Sequence, residues 1–396
     1  MNYLKIVLLV IALAGCGHAA PDSRTPLTTG SGTSPRVLPP DKPVLQDAAG
    51  VQPLSGHLIT GVATSGESFN PSLGETVFLS YTLLRPARVK VCVIDPDLGL
   101  IRTLLQDVLQ ESGERAIAWD GVDMDGAVVP DEAYFFTIEA TDDRGTKETY
   151  DPTTFSGGVE HDITSARIDP EQYTIGYAMP ETGRVMIRMG IQGGPLLNQA
   201  VDWKPRIRGA VTEYWNGMDA DSLIPLYRHP GFKLIITYFT LPETSMVTFG
   251  NRSTDFRHYK ALVAAARPVK PERESSVADR AHHYLLSRTR DYCPGLNLTV
   301  LNPAGTGPGG RPVLHGKALV RVSLHDEDMA VFQNQPFEIC FFLDGVFYAE
   351  DESGYTPFNW VWDLTGVNPG EHVLTVNVSG FRDQIGIRSI KVDVAP

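Results

Sequence analysis

Three carboxylates lie close together in the glycine-containing stretch Trp119–Gly126, and side chains of this type can hold a metal ion. Asp120, Asp123 and Asp125 offer hard oxygen ligands, which Ca²⁺ prefers. Their spacing differs from that of an EF-hand loop. Asp and Gly in such a stretch also form tight turns, in which the carboxylates accept hydrogen bonds from the nearby backbone. The stretch is therefore either a polar turn or a calcium site, and apart from this candidate the sequence predicts no metal ion and no cofactor.

A second group of candidate binding residues is aromatic. Phe358, Trp360 and Trp362 alternate along a predicted strand and therefore share one face of it. Three rings in a row can form a platform that stacks on sugar rings, or they can pack in the core of a domain. The exposure of the rings distinguishes the two interpretations, because a glycan can reach only exposed rings.

Motifs for catalysis are missing from the sequence. It contains no His-Glu-x-x-His zinc motif, no nucleophile elbow and no Walker phosphate loop. The neighbouring His282 and His283 would point about 100° apart on a helix and could not easily hold one ion. We therefore expect a protein that is not an enzyme. A hydrolase accessory module, built on the connector before the third domain and on that domain, is a further alternative.

The balance of charge limits the class of partner. The chain of 396 residues has 47 acidic and 34 basic side chains and a net charge of -13. Binding to nucleic acid requires a concentrated basic surface. We therefore expect no nucleic-acid partner.

The first sixteen residues have the pattern of an export signal. Lys5 precedes the apolar run Ile6–Leu13, which is too short to span a bilayer. Leu13-Ala14-Gly15-Cys16 resembles a bacterial lipobox, and this resemblance implies that residues 1–15 are removed and that Cys16 becomes an acylated N-terminus. Gly17 stands where lipoproteins of the inner membrane tend to have Asp, which implies sorting to the outer membrane, on a side that the sequence leaves open. Several acyl chains make such an anchor stable.

The other cysteines are interpreted in the light of this export. Disulfides form in exported proteins. With Cys16 acylated, Cys92, Cys293 and Cys340 remain. A disulfide between Cys293 and Cys340 is the candidate pairing, since it would fix the connector to the third domain and leave Cys92 free.

The Trp119 stretch recurs further along the chain. The echo is Trp215-Asn216-Gly217-Met218-Asp219, 96 residues later, and other pairs match at the same offset. These pairs are Tyr81 with Tyr177, Arg88-Val89 with Arg184-Val185, and Gly113 with Gly209. A period of 96 residues is too long for a solenoid and is typical of tandem β-sandwich domains.

The first copy resembles the Ig-like domain of flagellar hook-capping (FlgD-type) proteins. The resemblance implies a β-sandwich and says little about activity, because such domains serve as spacers, assembly domains and binding surfaces. The matching residues are Phe69-Asn70-Pro71, Gly74-Glu75, Tyr81-Thr82-Leu83, Pro86-Ala87-Arg88-Val89, Asp95 to Gly99, Ile101 to Leu104, Gly113, Trp119 to Gly126 and Tyr134-Phe135.

These patterns together predict an all-β protein with three tandem Ig-like β-sandwich domains and a short helical connector before the third. Asp-Gly, Trp-Asp and Pro-Gly turns make the last hundred residues resemble another bacterial Ig-like surface module. The predicted segments are a signal peptide (1–15), a disordered lipidated tether (16–56), the FlgD-type domain (57–152), a degenerate second copy (153–252), the connector (253–295) and the third domain (296–396).

The predicted function is that of a lipid-anchored structural, assembly or protein-binding scaffold. Its expected partners are the membrane, through the lipid, and a protein of an envelope or surface complex. A carbohydrate-binding lipoprotein is the main alternative. One run of basic residues, Lys204, Arg206 and Arg208, is interpreted either as a solvated hairpin or as a docking patch for an acidic partner.

Overall fold

The computed structural model describes residues 57–266, 293–332, 336–380 and 384–396. Residues Leu58–Pro396 form one compact unit. The predicted signal peptide, Cys16, the tether and the predicted connector helix that opens at Ser276 lie outside the described residues. Within the described ranges, no helix combines the length and the apolar character needed to cross a membrane.

The first sandwich packs a three-stranded sheet against a larger sheet. Its strands are β1 (Ile59–Thr64), β2 (Ser68–Phe69), β3 (Val77–Leu83), β4 (Ala87–Ile94), β5 (Leu100–Gln110), β6 (Gly113–Trp119), β7 (Ala133–Asp142) and β8 (Lys147–Tyr150). The small sheet has the order β1-β3-β6, and the large sheet contains β7-β4-β5 with β8 on the other side of β7. Alternation in β4 points Val89, Val91 and Val93 into the core, where Trp119 is also buried.

The second sandwich repeats this arrangement. Its segment contains β9 (Glu160–Asp162), β10 (Ala166–Asp169), β11 (Thr174–Met179), β12 (Gly183–Ile191), β13 (Leu196–Arg206), β14 (Gly209–Tyr214), β15 (Phe232–Thr240) and β16 (Met246–Thr248). The sheets have the orders β10-β11-β14 and β13-β12-β15-β9. Strands β5 and β13 have the same length at an offset of 96 residues, and each contains a residue with positive φ, Asp107 (52°) or Trp203 (47°). The sequence repeat is therefore also a structural repeat.

Strand β16 belongs to the large sheet of the first sandwich, although its residues fall within the predicted second domain. Met246 and Val247 pair with Tyr134 and Ala133 of β7, and Val247 also pairs with Ser68 of β2. Helix α1 (Phe256–Ala266) follows and packs Phe256 into the first core. The chain thus returns from the second sandwich to the first.

The third sandwich has its own two sheets and core. Its elements are β17 (Leu296–Val300), β18 (Gly305–Thr306), β19 (Pro312–Leu314), β20 (Lys317–Leu324), α2 (Asp326–Phe332), β21 (Phe337–Leu343), β22 (Val346–Asp351), β23 (Phe358–Asp363), β24 (Gly370–Gly380) and β25 (Ile385–Val394). The orders are β17-β20-β23 and β18-β19-β25-β24-β21-β22. The predicted fold class, three tandem β-sandwiches with helix before the third, is confirmed. The predicted domain boundaries stay predictions.

Candidate functional site

The loop after β6 is a rigid turn built on Trp119. The indole Nε1 of Trp119 donates to the carbonyl oxygen of Val122 at 3.0 Å, and the ring is 2% exposed. Asp120 accepts a hydrogen bond from the Val122 amide at 3.3 Å. Gly121 has φ 72°, and a Cβ there would come within 2.3 Å of Pro71. Only glycine satisfies both the backbone conformation and this close packing.

The loop after β14 has the same internal bonds. Trp215 Nε1 donates to the Met218 carbonyl oxygen at 2.8 Å, and Asn216 accepts from the Met218 amide at 3.0 Å. Gly217 has φ 78°. We call the two stretches, Trp119–Gly126 and Trp215–Asp221, the tryptophan loops.

Each tryptophan loop contains a buried carboxylate that organises the backbone. Asp123 Oδ1 accepts from the amides of Asp125 and Ala127 at 2.9 and 3.0 Å. At the equivalent position, Asp219 Oδ1 accepts from two amides at 2.6 and 2.7 Å, those of Leu223 and Ile224. Such bonds are those of a polar turn.

The structure thus gives the carboxylates of Asp120 and Asp123 hydrogen bonds within the turn, and the ligand atoms of Asp120, Asp123 and Asp125 do not all lie within 4.8 Å of one another. Asp120 also pairs with Arg102 at 3.0 Å. In the described ranges, the three residues whose ligand atoms lie within 4.8 Å of one another are His325, Glu327 and Asp328. In that group, Asp328 already accepts a hydrogen bond from the Gly295 amide at 2.8 Å.

Helix α1 docks on the first tryptophan loop. The Tyr259 hydroxyl donates to Asp123 Oδ2 at 2.9 Å, so that both oxygens of this buried carboxylate have donors. The next residue, Lys260, forms an ion pair with Asp95, which is 1% exposed. Burial raises the pKa of Asp95, and the charge of Lys260 opposes this rise. The helix is therefore fixed by two polar contacts in addition to its apolar side chains.

The contact between helix α1 and the loop predicts a specific loss of stability. Tyr259→Phe is expected to lower the free energy of unfolding by about 1–3 kcal/mol, because a buried carboxylate oxygen loses its donor. Burial and the hydrogen bond to Asp123 raise the pKa of Tyr259 above its ordinary value. The hydroxyl therefore contributes fully below about pH 10, and its contribution is lost as the pH rises through the folded-state pKa.

Urea unfolding of both proteins at pH 7, and at several pH values above 10, measures this effect. The difference between the native chain and the Tyr259→Phe variant should shrink in the alkaline series. Tyr214→Phe is the matched control, since Tyr214 is 84% exposed. Equal stability of the two variants at pH 7 would contradict the docking role of Tyr259.

The third sandwich docks on the end of the second sandwich that corresponds to the end of the first sandwich on which helix α1 docks. The Asn377 side chain accepts from the Leu196 amide and donates to the Leu196 carbonyl oxygen, both at 2.9 Å. Asp221 accepts from the Ser389 amide at 2.6 Å and pairs with Arg388 at 2.7 Å. Leu196 and Asp221 correspond, at the offset of 96 residues, to Leu100 and Asp125.

The two repeats thus present the same end to two different intramolecular partners. The two repeats differ in the hydrogen bonding of the buried carboxylate, which is Asp123 in the first and Asp219 in the second. Asp219 is 2% exposed, and its Oδ2 has no hydrogen-bond partner in the described chain, whereas Tyr259 satisfies the equivalent oxygen of Asp123. The tryptophan loop is therefore a docking surface in both repeats, with a different occupant on each.

A buried ion pair joins the first and second sandwiches. The Arg184 guanidinium of β12 donates to the two carboxylate oxygens of Glu132 at 2.9 and 2.8 Å, and the side chains are 5% and 2% exposed. Thr248 of β16 accepts from the Glu132 amide at 3.1 Å. Sequence reasoning missed this pair. The available signal was an arginine inside the strand β12, whose nine residues are all buried.

The predicted aromatic face is part of the third core. Phe358 and Trp362 are 7% and 0% exposed. Trp360 is half-buried and stacks on Phe341 with ring centroids 4.1 Å apart. The interpretation as a sugar platform is therefore wrong, because β23 turns these rings toward the opposite sheet. Trp362 ends β23 as Trp119 ends β6, but its Nε1 has no acceptor among the described residues.

The predicted disulfide does not form. Cys92, Cys293 and Cys340 are free thiols. Cys340 lies within β21, where burial and the nearby carboxylates raise its pKa to about 12, and burial raises that of Cys293 to about 12 as well. The pairing was inferred from the predicted export and from the link that it would make between the connector and the third domain, whereas both cysteines are free thiols.

The basic run at the end of β13 and in the following turn has acidic partners within the chain. Arg206 donates to Glu213 at 2.6 and 3.0 Å, and Arg208 pairs with Glu67 of the first sandwich. Lys204 lies 3.8 Å from Asp255. The run therefore contributes to the contacts between elements of the chain itself.

Comparison with known proteins gives likeness of fold only. No family model and no curated protein matches the sequence. FlgD from P. aeruginosa is 22% identical over 23% of this chain and 66% of that chain, with a TM-score of 0.19. A structure concerning host cell surface retention of a 1.5-MDa bacterial ice-binding adhesin is 12% identical over 85% of this chain and 98% of that chain, with a TM-score of 0.17.

A third solved structure belongs to the same class of tandem sandwiches. The central fibronectin-III array of RIM-binding protein is 11% identical over 86% of this chain and 97% of that chain, with a TM-score of 0.18. Such scores carry no argument about function, which is therefore drawn from the contacts of this chain.

Proposed function

We propose that this protein is a non-enzymatic lipoprotein that acts as a structural or protein-binding scaffold for a complex at the bacterial envelope or surface. Acylated Cys16 anchors it to the outer membrane, and residues 16–56 serve as a tether. The described sandwiches would present their surfaces to a protein partner. The lipid and the location rest on the N-terminal sequence pattern.

The observation that carries this proposal is the fixed junction between consecutive sandwiches. Tandem domains move relative to one another by default unless their interface is extensive. Here Arg184 and Glu132 lock the first junction, and Asn377 binds the Leu196 backbone at the second. Fixed junctions hold binding surfaces at constant distances, which is what an assembly scaffold requires.

The polar clusters at the sandwich ends also support a role without catalysis. Asp95, Asp123 and Glu132 are buried, and each has a basic or hydroxyl partner within the chain. A catalytic acid or base must instead reach a substrate. A glycan-binding role is not proposed, because Phe358 and Trp362 are buried.

The test is crosslinking in cells, with full-length tagged protein and Cys16→Ala as the unanchored variant. Cys92→Ala is the matched control, because it also removes one thiol but leaves the predicted lipobox intact. We expect the native chain and Cys92→Ala to incorporate palmitate, to fractionate with the outer membrane and to capture the same envelope proteins. Cys16→Ala should lose all three properties.

Two outcomes would contradict the proposal. If Cys16→Ala still fractionates with the outer membrane, the proposed lipid anchor is wrong. If crosslinking recovers glycan or peptidoglycan fragments, and no protein whose capture depends on the anchor, the proposed scaffold role is wrong.

A further inference from the structure

In the first two sandwiches the edge strand of the large sheet contains a residue with positive φ, although Val108 and Leu109 of β5 remain 42% and 62% exposed. An edge strand presents unpaired backbone groups, and proteins blunt it with bulges, charge or cover. Strand β5 contains the positive-φ residue Asp107, which pairs with Arg88 at 3.4 Å. The equivalent strand β13 contains Trp203, which is 5% exposed and packs on Phe239 with centroids 4.7 Å apart.

The edge strand of the third sandwich, β22, leaves its apolar residues exposed. Among the strands of the described ranges it pairs only with β21, at the end of a six-stranded sheet. The consecutive residues Val346, Phe347 and Tyr348 are 69%, 46% and 38% exposed. Successive side chains of a strand point to opposite faces of the sheet, so apolar groups are exposed on both faces of this edge. A contiguous exposed apolar stretch on a strand edge is typical of an interaction site.

A bulge at Tyr348 does not cover the edge. The pairing of β22 with β21 shifts by one residue between Phe341 and Phe342, which makes Tyr348 the extra residue. Its hydroxyl donates to the Asp363 carbonyl oxygen at 3.1 Å on the opposite sheet. Tyr348 thus joins the two sheets, while the described part of the chain supplies no strand on the outer side of β22.

Two carboxylates follow the apolar stretch in the chain, and a third lies beside them on β21. Glu350 and Glu352 are exposed, Glu338 beside them on β21 is half-buried, and none of the three forms an ion pair within the described ranges. Burial raises the pKa of Glu338, and the charges of Glu352 and Glu350 raise it further. The edge is therefore apolar at one end and negatively charged at the other.

We propose that the outer edge of β22 binds an extended segment of a partner protein, with basic residues at one end and apolar residues at the other, as an added antiparallel strand. Main-chain hydrogen bonds would supply the pairing, and the side chains would set its direction. In this register Lys or Arg of the partner faces Glu350 and Glu352, while its apolar residues lie against the stretch Val346–Tyr348. A second copy of this chain fits less well, because the net charge of each copy is -13.

This inference rests on the proposed scaffold function, for which it names a surface and a class of partner. A fluorescent peptide, Lys-Thr-Lys-Thr-Val-Thr-Val-Thr with blocked ends, is the probe, and its anisotropy is titrated against the full chain. The control peptide has Glu in place of Lys. We expect saturable binding of the first peptide, at least about tenfold tighter than that of the second and weakened by salt.

Two double variants locate the binding. Glu350→Lys with Glu352→Lys should weaken binding of the lysine peptide at least about tenfold, because attraction becomes repulsion. Glu111→Lys with Glu114→Lys, at exposed positions in the turn before β6 and at the start of β6, changes the net charge by the same amount and should alter the affinity less than about twofold. Near-ultraviolet circular dichroism establishes that both variants are folded.

Several results would overturn the inference. These are equal binding of the two peptides, equal affinity of the two double variants, or sedimentation showing a native dimer that dissociates in Glu350→Lys/Glu352→Lys. Crosslinking distinguishes this failure from failure of the scaffold role. If envelope proteins are captured with the anchor intact but the lysine peptide does not bind, the scaffold stands and its partner does not bind to β22.

Discussion

Replacing Arg184 by methionine is expected to lower the free energy of unfolding by about 3–5 kcal/mol. The change leaves the Glu132 carboxylate buried without its cation, and an uncompensated buried charge is strongly destabilising. Pairing the change with Glu132→Leu removes both charges, and the double variant should recover most of the loss. A buried ion pair replaced by apolar groups of similar size is often neutral or better.

Urea unfolding followed by tryptophan fluorescence measures these differences. Lys90→Met is the matched control, because Lys90 and Glu139 form a pair on the first sandwich with side chains 40% and 37% exposed. We expect the control to change the free energy of unfolding by less than about 1 kcal/mol. If Arg184→Met behaves like Lys90→Met, the first junction does not depend on the ion pair.

The second large effect is expected at the tryptophan loop of the second sandwich. Trp215→Ala should lower the free energy of unfolding by about 3–5 kcal/mol, as truncation of a buried aromatic side chain usually does. Trp215 is 6% exposed and stacks on Phe232 with centroids 5.5 Å apart. The change also removes the indole donor to the Met218 carbonyl oxygen.

The neighbouring Tyr214→Ala is the control for this change, since Tyr214 is 84% exposed. Its effect should stay within about 0.5 kcal/mol. Because the same loop faces the third sandwich through Asp221, Trp215→Ala should also increase proteolysis near Asn377, as detected by mass spectrometry. Unchanged cleavage would show that the second junction is independent of the loop.

The reuse of one docking surface has a simple physical basis. In both repeats the tryptophan loop is held by side-chain bonds to its own backbone, so its shape is independent of what lies against it. A rigid surface can bind a helix in one copy and a sheet in the other, provided that the partner donates hydrogen bonds to the carboxylates of the loop. Tyr259 supplies that match in the first repeat, and in the second the Ser389 amide supplies it by donating to Asp221.

Much of the fold could be predicted from local patterns in the sequence. Alternation identified segments of β4 and β7, and apolar runs identified segments of β12 and β15, because a strand half-buried in a sandwich must alternate. Local patterns did not predict the position of β16 in the fold. Nothing local distinguishes Met246–Thr248 from a strand of the second sandwich, and its pairing with β7 depends on a contact more than one hundred residues away in the chain.

What the sequence by itself determined is the tryptophan loop and its repeat. Each loop is specified by residues within a few positions of one another, through glycines at positive φ and carboxylate or amide side chains that bond two residues ahead. Only the tertiary structure decided what these loops contact, that Phe358 and Trp362 are buried, and that Cys293 and Cys340 stay free thiols. Those outcomes depend on which surfaces meet, and the packing of distant segments leaves no local signature in the residues that it brings together.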